Sequence, residues 1–164
     1  MKSNNIAKGG IFAALSLILL YLSSIFPTNR LFILGIASCI IPLSIIMTGI
    51  KNTIVVYSAV SLLGLFIIPS KLIIISYILI FGSYGFIKYY IERLRSMILE
   101  IIFKLLYFNI NSAIIISIYN SVLKLPNINM YLLIIALQFC FIVYDYTLTT
   151  FISYANKKLI KKFG

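Results

Sequence analysis

The chain has 164 residues, of which 62% are hydrophobic and 10% are charged. A soluble domain of this length needs a polar shell that this composition cannot supply, so a soluble fold is excluded. The net charge of +11 comes from 14 Lys and Arg against three Asp and Glu. These cations are dispersed at the ends of apolar runs, which is typical of membrane topology signals and excludes a nucleic-acid-binding surface.

Six strongly apolar runs follow one another along the chain, each close to the ~20 residues with which an α-helix crosses a bilayer. Runs such as Leu31–Ile36 and Ile114–Ile116 do not alternate polar and apolar residues as barrel strands do, so we expect helices. The residues 1–164 are therefore predicted to form a single transmembrane domain, an all-α integral membrane protein built as a six-helix bundle. The predicted spans are about 9–27, 31–50, 52–69, 72–90, 105–123 and 128–149.

The first run begins after Lys2 and Lys8, a basic start that secretory signal peptides share. The run is longer than a signal-peptide core, and no small-x-small cleavage site follows it. We therefore expect it to be retained as the first transmembrane helix.

Four small residues near the start of this run form two overlapping pairs with a spacing of four, Gly9 with Ala13 and Gly10 with Ala14. Such pairs let the backbone of another helix approach closely. We predict that Gly9, Gly10, Ala13 and Ala14 form an interface with a partner protein; the alternative is packing against a helix of the same chain.

The basic residues between the runs predict the orientation. A cytoplasmic N-terminus places 11 of them inside and leaves only Arg30, Lys71 and Lys124 outside, as the positive-inside rule requires. Six crossings return the C-terminus to the cytoplasm, so the predicted topology is N-in/C-in.

Residues 88–104 contain the one internal charged stretch, and they predict a cytoplasmic amphipathic helix between the fourth and fifth spans. Lys88–Glu92 and Glu100–Lys104 have the i,i+4 spacing of helical ion pairs. The stretch is either a solvated connector or a docking surface for a partner. Its apolar residues follow helical spacing: Ile91, Leu94, Ile98, Ile101, Ile102 and Leu105.

Catalytic chemistry is hard to assemble from these residues, because the chain has no histidine and only three acids. We therefore do not expect an enzyme. Cys39 and Cys140 lie in separate apolar runs without metal-ligand spacing, so neither a metal site nor a cofactor is expected.

The sixth run carries a polar stripe that extends to Thr149. Within it, Tyr131, Gln138 and Asp145 recur every seven residues, about two helical turns. An ionisable group inside a span is energetically expensive and indicates function, so we predict that these side chains, with Asn120, bind a ligand. The alternative places Asp145 at the inner headgroups.

Other polar residues have weaker signals. Ser23, Ser24, Tyr77 and Tyr119 could line an outward-opening pocket together with the stripe, whereas Asn109 and Asn111 are expected to hydrogen-bond between helices.

The segment Ile6–Leu15, with Gly10 and Ala14 in the place of an Ala-x-x-x-Ala-like motif, resembles the start of the S components of energy-coupling factor (ECF) transporters. These are the substrate-binding membrane subunits of prokaryotic vitamin and metal importers. The resemblance implies six helices in the cytoplasmic membrane, capture of a small ligand from outside, and delivery to a coupling transmembrane protein with two ATPases. The small residues of the first helix would meet the coupling protein, and ATP hydrolysis would belong to the partners because this chain has no phosphate-binding loop.

Two other functions fit the same topology. One is a non-transporting scaffold of envelope or cell-shape assembly that resembles the MreD family and binds its partners through 88–104. The other is a small autonomous channel or carrier, for which few membrane charges define an ion path.

Overall fold

The structure, a computed structural model, describes residues 2–94, 96–123 and 130–163, with side chains for 3–94, 96–118 and 134–158. Throughout these residues the secondary structure is helical, with turns between the helices and no strand. Seven α-helices run in chain order: α1 Lys2–Ile25, α2 Arg30–Thr48, α3 Ile50–Ile67, α4 Lys71–Ser76, α5 Ser83–Ile91, α6 Met97–Leu123 and α7 Met130–Phe163. A 3₁₀ turn, Pro27–Asn29, precedes α2, and a π-helical turn, Tyr77–Gly82, joins α4 to α5.

Six stretches of the described residues are long and apolar enough to cross a membrane, which confirms the predicted all-α, six-helix membrane protein. The fourth of them contains α4, the π-helical turn and α5. The stretches are Ser3–Ile25, Pro27–Thr48, Ile50–Ile67, Lys71–Ile91, Met97–Ile118 and Ile134–Lys158.

The chain groups into two compact units, Met1–Leu106 and Tyr107–Gly164. In the first unit, α1 packs against α2 and α3, and α2 also contacts the π-helical turn and α5. The core of this unit is apolar and fully buried at its centre. Its most buried members are Leu20, Ala37, Val60, Ile68 and Ile74.

The turn between α2 and α3 consists of Gly49 alone, whose φ of 84° lies in the left-handed region that favours glycine. Buried hydroxyls on both sides hold this turn: Thr53 Oγ1 donates to Ser44 Oγ at 2.9 Å and lies 3.0 Å from the Gly49 carbonyl oxygen. Because the turn is so short, α2 and α3 are antiparallel neighbours.

Residues 88–104 do not form one separate surface helix. α5 ends at Ile91, a turn follows it, and α6 runs without a break from Met97 to Leu123. The chain folds back at this turn, because Glu92 before it and Lys104 after it lie within ion-pair distance. Within α6, the stretch that is long and apolar enough to cross a membrane is Met97–Ile118.

Candidate functional site

The two pairs of small residues in α1 lie in different surroundings, one packed inside the protein and the other exposed. Gly9 is buried, and a Cβ atom at this position would lie 2.8 Å from Asn52 Nδ2 and 3.2 Å from Val56 Cγ2 of α3. Asn52 Nδ2 donates to the Asn5 carbonyl oxygen at 2.8 Å, which ties α3 to the start of α1. Ala13 is half-buried against the core of the unit. Gly9 and Ala13 thus pack within their own chain, as the alternative interpretation had it.

Gly10 and Ala14 are exposed, and a Cβ atom at Gly10 would have no heavy atom within 4 Å. Ile11 and Ile18 beside them are 61% and 57% exposed. This face, Gly10 and Ala14 with Ile11 and Ile18, is the exposed small-residue face of α1. Because it is smooth and apolar, it can receive either lipid or a closely approaching helix.

In the second unit, α6 and α7 pair through one polar and one aromatic contact. Gln138 Nε2 donates to Asn109 Oδ1, and the Phe108 and Phe141 rings stack with their centroids 4.2 Å apart. The pairing of 109 with 138 and of 108 with 141 makes the two helices antiparallel. The predicted interhelical role of Asn109 is confirmed, and its partner is a member of the polar stripe. Asn111, for which the same role was predicted, donates from Nδ2 to the Tyr107 carbonyl oxygen of its own helix at 2.9 Å.

Asp145 lies in the middle of α7, half-buried. Thr149 Oγ1 donates to the Asp145 carbonyl oxygen at 2.8 Å, so this threonine is satisfied within its own helix. The other two predicted ligand-binding residues, Asn120 in α6 and Tyr131 in α7, have side chains outside the described part of the chain. Of the four predicted ligand-binding residues, Gln138 and Asp145 are thus the two whose side chains the structure describes.

A cluster of four charges lies where α5 ends and α6 begins. Glu92 Oε1 is 2.9 Å from Lys88 Nζ and 3.4 Å from Lys104 Nζ, and Glu100 Oε1 is 2.6 Å from Lys104 Nζ. The two predicted i,i+4 pairs are confirmed. Helical spacing does not predict the bridge between Glu92 and Lys104. It also does not predict the burial of the Lys88 side chain, which is 1% exposed.

A second cluster lies around the π-helical turn, and it consists of hydroxyl groups. Tyr77 is fully buried, its ring centroid 6.2 Å from that of Tyr57. Tyr57 OH donates to the Ile78 carbonyl oxygen at 2.9 Å. Ser16 of α1 lies beside Tyr77, and Ser61 of α3 beside Tyr57. Of these residues the sequence had marked only Tyr77; a signal for the others is the recurrence of Tyr57 and Ser61 one helical turn apart.

These clusters can bind through hydrogen bonds and, at the α5–α6 turn, through charge. Among the residues that the structure describes, no three His, Cys, Asp or Glu side chains come together in a way that could hold a metal ion. Comparison of the chain with protein-family models, with curated proteins and with solved structures gave no significant match.

Proposed function

We propose that this chain is the substrate-binding subunit of a micronutrient importer, similar to the S component of ECF transporters, in the cytoplasmic membrane of a prokaryote. It would capture a small ligand from outside and pass it on while bound to a coupling transmembrane protein and its ATPases. The observation that carries the proposal is the exposed small-residue face of α1. Gly10 and Ala14 have no packing role in the described chain, although the neighbouring pair does.

The proposed ligand site is the polar stripe of α7. Gln138 already pairs with Asn109, so an amide pair is available at the α6–α7 contact to exchange hydrogen bonds with a ligand. α7 continues as a helix from Asp145 to Lys157 and beyond, and twelve residues at 1.5 Å each place this lysine about 18 Å further along the axis. This distance supports a position for Asp145 inside the membrane, with Lys157 at the headgroups.

The binding role is tested with purified protein and a panel of vitamins and transition-metal salts. One compound should raise the midpoint of thermal unfolding, and Gln138→Leu should abolish that shift. Failure of every compound to stabilise the wild-type protein would contradict a substrate-binding role.

The coupling role is tested by co-purification from the native membrane. Gly10→Leu and Ala14→Leu fill the exposed face, so they should remove a coupling protein and ATPases from the purified complex. Val55→Leu is the matched control, since Val55 is 64% exposed on α3 and carries no predicted role. An unchanged complex in both α1 variants would overturn this part of the proposal.

The scaffold function has one observation in its favour. Arg93 is exposed beside the apolar start of α6, where Met97 and Ile98 are exposed as well. If this surface docks a partner of envelope assembly, Arg93→Glu combined with Arg95→Glu removes the partner and Ala14→Leu does not. The co-purification experiment thus separates the two functions.

A further inference from the structure

Hydroxyl side chains in the helices of this chain usually satisfy themselves by donating to the backbone one turn earlier. Ser76 Oγ donates to the Leu72 carbonyl oxygen at 2.8 Å, and Ser83 Oγ to that of Leu79 at 2.7 Å. This local bond is available to any serine inside a helix.

Ser16, Ser61 and Tyr77 depart from this pattern. Their hydroxyl oxygens are buried, and none of them has a hydrogen-bonding partner among the described protein groups. Ser16 and Ser61 thus do not donate to the carbonyl oxygen one turn earlier. Tyr77 is fully buried, so its hydroxyl does not reach bulk water. Buried polar groups without partners are rare in folded proteins, and a bound water or ion is one of the explanations for them.

The surroundings of these hydroxyls indicate the chemistry of the bound molecule. Ser16 of α1 lies beside Tyr77, where span four changes to the π-helical turn. The same turn offers the Ile78 carbonyl oxygen to Tyr57, so its backbone is already hydrogen-bonded by a side chain. Side chains and waters commonly satisfy backbone groups at such irregular turns, and π-helical turns often occur at functional sites.

We propose that Ser16 and Tyr77 bind a buried water molecule, which joins α1 to the π-helical turn of span four. A water both donates and accepts, so it satisfies two facing hydroxyls at once. The hydroxyl groups carry no charge, and they offer no set of carboxylate or carbonyl oxygens such as a metal cation requires. The residues of this water site belong to other helices than those of the ligand site proposed on α7.

Radiolytic footprinting tests the presence of the water, because hydroxyl radicals formed from a bound water label the side chains around it. Tyr77 is shielded from bulk solvent, so only a bound water can supply radicals to it. We therefore expect modification of Tyr77 in the wild-type protein. Ser16→Val replaces one hydroxyl with a bulkier apolar group and should lower the modification of Tyr77 several-fold. Tyr77 modified no more than the equally buried Leu20 would overturn the proposal, since a direct bond between the two hydroxyls needs no water.

Thermal unfolding in detergent provides an independent test, because the water bridge predicts the sign of the change in unfolding midpoint that Tyr77→Phe causes. If water bridges the hydroxyls, Tyr77→Phe removes a made hydrogen bond and the unfolding midpoint falls by about 2–4 °C. If the site is dry and the two hydroxyls do not bond each other, the same change removes an unpaired buried hydroxyl and the midpoint rises, which would overturn the proposal. A direct bond between the hydroxyls would also lower the midpoint, and the footprinting experiment separates it from a water bridge.

Matched controls isolate the bridge from general effects of the substitutions. Tyr21→Phe changes a 44% exposed tyrosine on α1, and Ser76→Ala removes a hydroxyl that bonds only within its helix. Both controls should leave the midpoint and the labelling of Tyr77 unchanged. In the double variant of Ser16→Ala and Tyr77→Phe, the unfolding midpoint should fall by less than the sum of the two single effects, because both substitutions remove the same water. Strictly additive effects would contradict the shared water.

Discussion

Lys104 Nζ lies 3.4 Å from Glu92 Oε1, and this ion pair joins α6 to the turn after α5. Glu92 also holds Lys88, and Glu100 also holds Lys104, so two acids and two bases alternate in one network. The chain has three acidic residues in all, and two of them lie here. A lysine with a 1% exposed side chain requires such a partner, because a buried cation without one is strongly destabilising.

Glu92 is expected to matter more than Glu100, because it contacts both lysines and Glu100 contacts one. Glu92→Gln should lower the free energy of unfolding by about 1–3 kcal/mol, a range that allows for its 31% exposed side chain. Glu100→Gln should cost less than half as much. The comparison is made by reversible unfolding in mixed micelles.

A second substitution checks that charge is the cause. Lys88→Met in the Glu92→Gln background removes the buried cation that Glu92 no longer neutralises, so part of the lost stability should return. Equal effects of the two glutamate variants on the free energy of unfolding would contradict the role given to Glu92. A further loss of stability on adding Lys88→Met would contradict it as well.

Gly9 and Gly10 are adjacent in sequence, yet we expect opposite results from the same substitution. Gly9→Leu forces a side chain against Asn52 and Val56, which should cost about 1–3 kcal/mol of unfolding free energy. Gly10→Leu meets open space and should leave the unfolding midpoint at or above that of the wild type. If Gly10→Leu proves the more destabilising, the orientation of α1 in the structure is wrong.

Gly82 ends the π-helical turn, and the rings of Tyr57 and Tyr77 lie against it. A Cβ atom there would come 2.8 Å from Tyr57 Cε2 and 3.0 Å from Tyr77 Cζ, so Gly82→Ala should destabilise the protein by about 1–3 kcal/mol. Gly35 in α2 has no heavy atom within 4 Å of the corresponding position, and Gly35→Ala should stabilise by about 0.4–1 kcal/mol. Thermal unfolding of the two variants should therefore give shifts of opposite sign; shifts of the same sign would contradict the packing at the turn.

The hydrogen bond between Gln138 and Asn109 is expected to contribute about 0.6 kcal/mol, with an upper value near 2 kcal/mol, as such bonds do in membranes. Each single change to leucine loses the bond and leaves one amide unpaired, whereas the double change leaves none. A double-mutant cycle should therefore show a coupling energy of this size. A cycle without coupling would mean that the two amides do not meet in the membrane-embedded protein.

The sequence predicted the helical, six-span architecture because lipid leaves the backbone few ways to satisfy its hydrogen bonds. It also predicted the Lys88–Glu92 and Glu100–Lys104 pairs, since these depend only on helical spacing. It could not show that Lys104 also reaches Glu92, because that bridge depends on the reversal of the chain between α5 and α6.

Tertiary packing decides the remaining features. Gly9/Ala13 and Gly10/Ala14 have identical spacing, so periodicity alone cannot tell which pair faces α3. The π-helical turn, Tyr77–Gly82, lies in a uniformly apolar span with no local residue that marks it. Ser16 also has no sequence signal, because a lone serine in an apolar helix ordinarily donates to its own backbone.

Cysteine accessibility tests the N-in/C-in topology, on which the proposed capture from outside depends, most directly. In a background with Cys39→Ala and Cys140→Ala, single cysteines are placed by Ser3→Cys near the start, by Thr28→Cys in the first turn, and by Lys157→Cys near the end. Intact cells are treated with a membrane-impermeable maleimide. The account predicts that the cysteine at 28 is labelled at once and that those at 3 and 157 are labelled only after permeabilisation. Labelling of 3 and 157 from opposite sides of the membrane, or of all three from the same side, would contradict it.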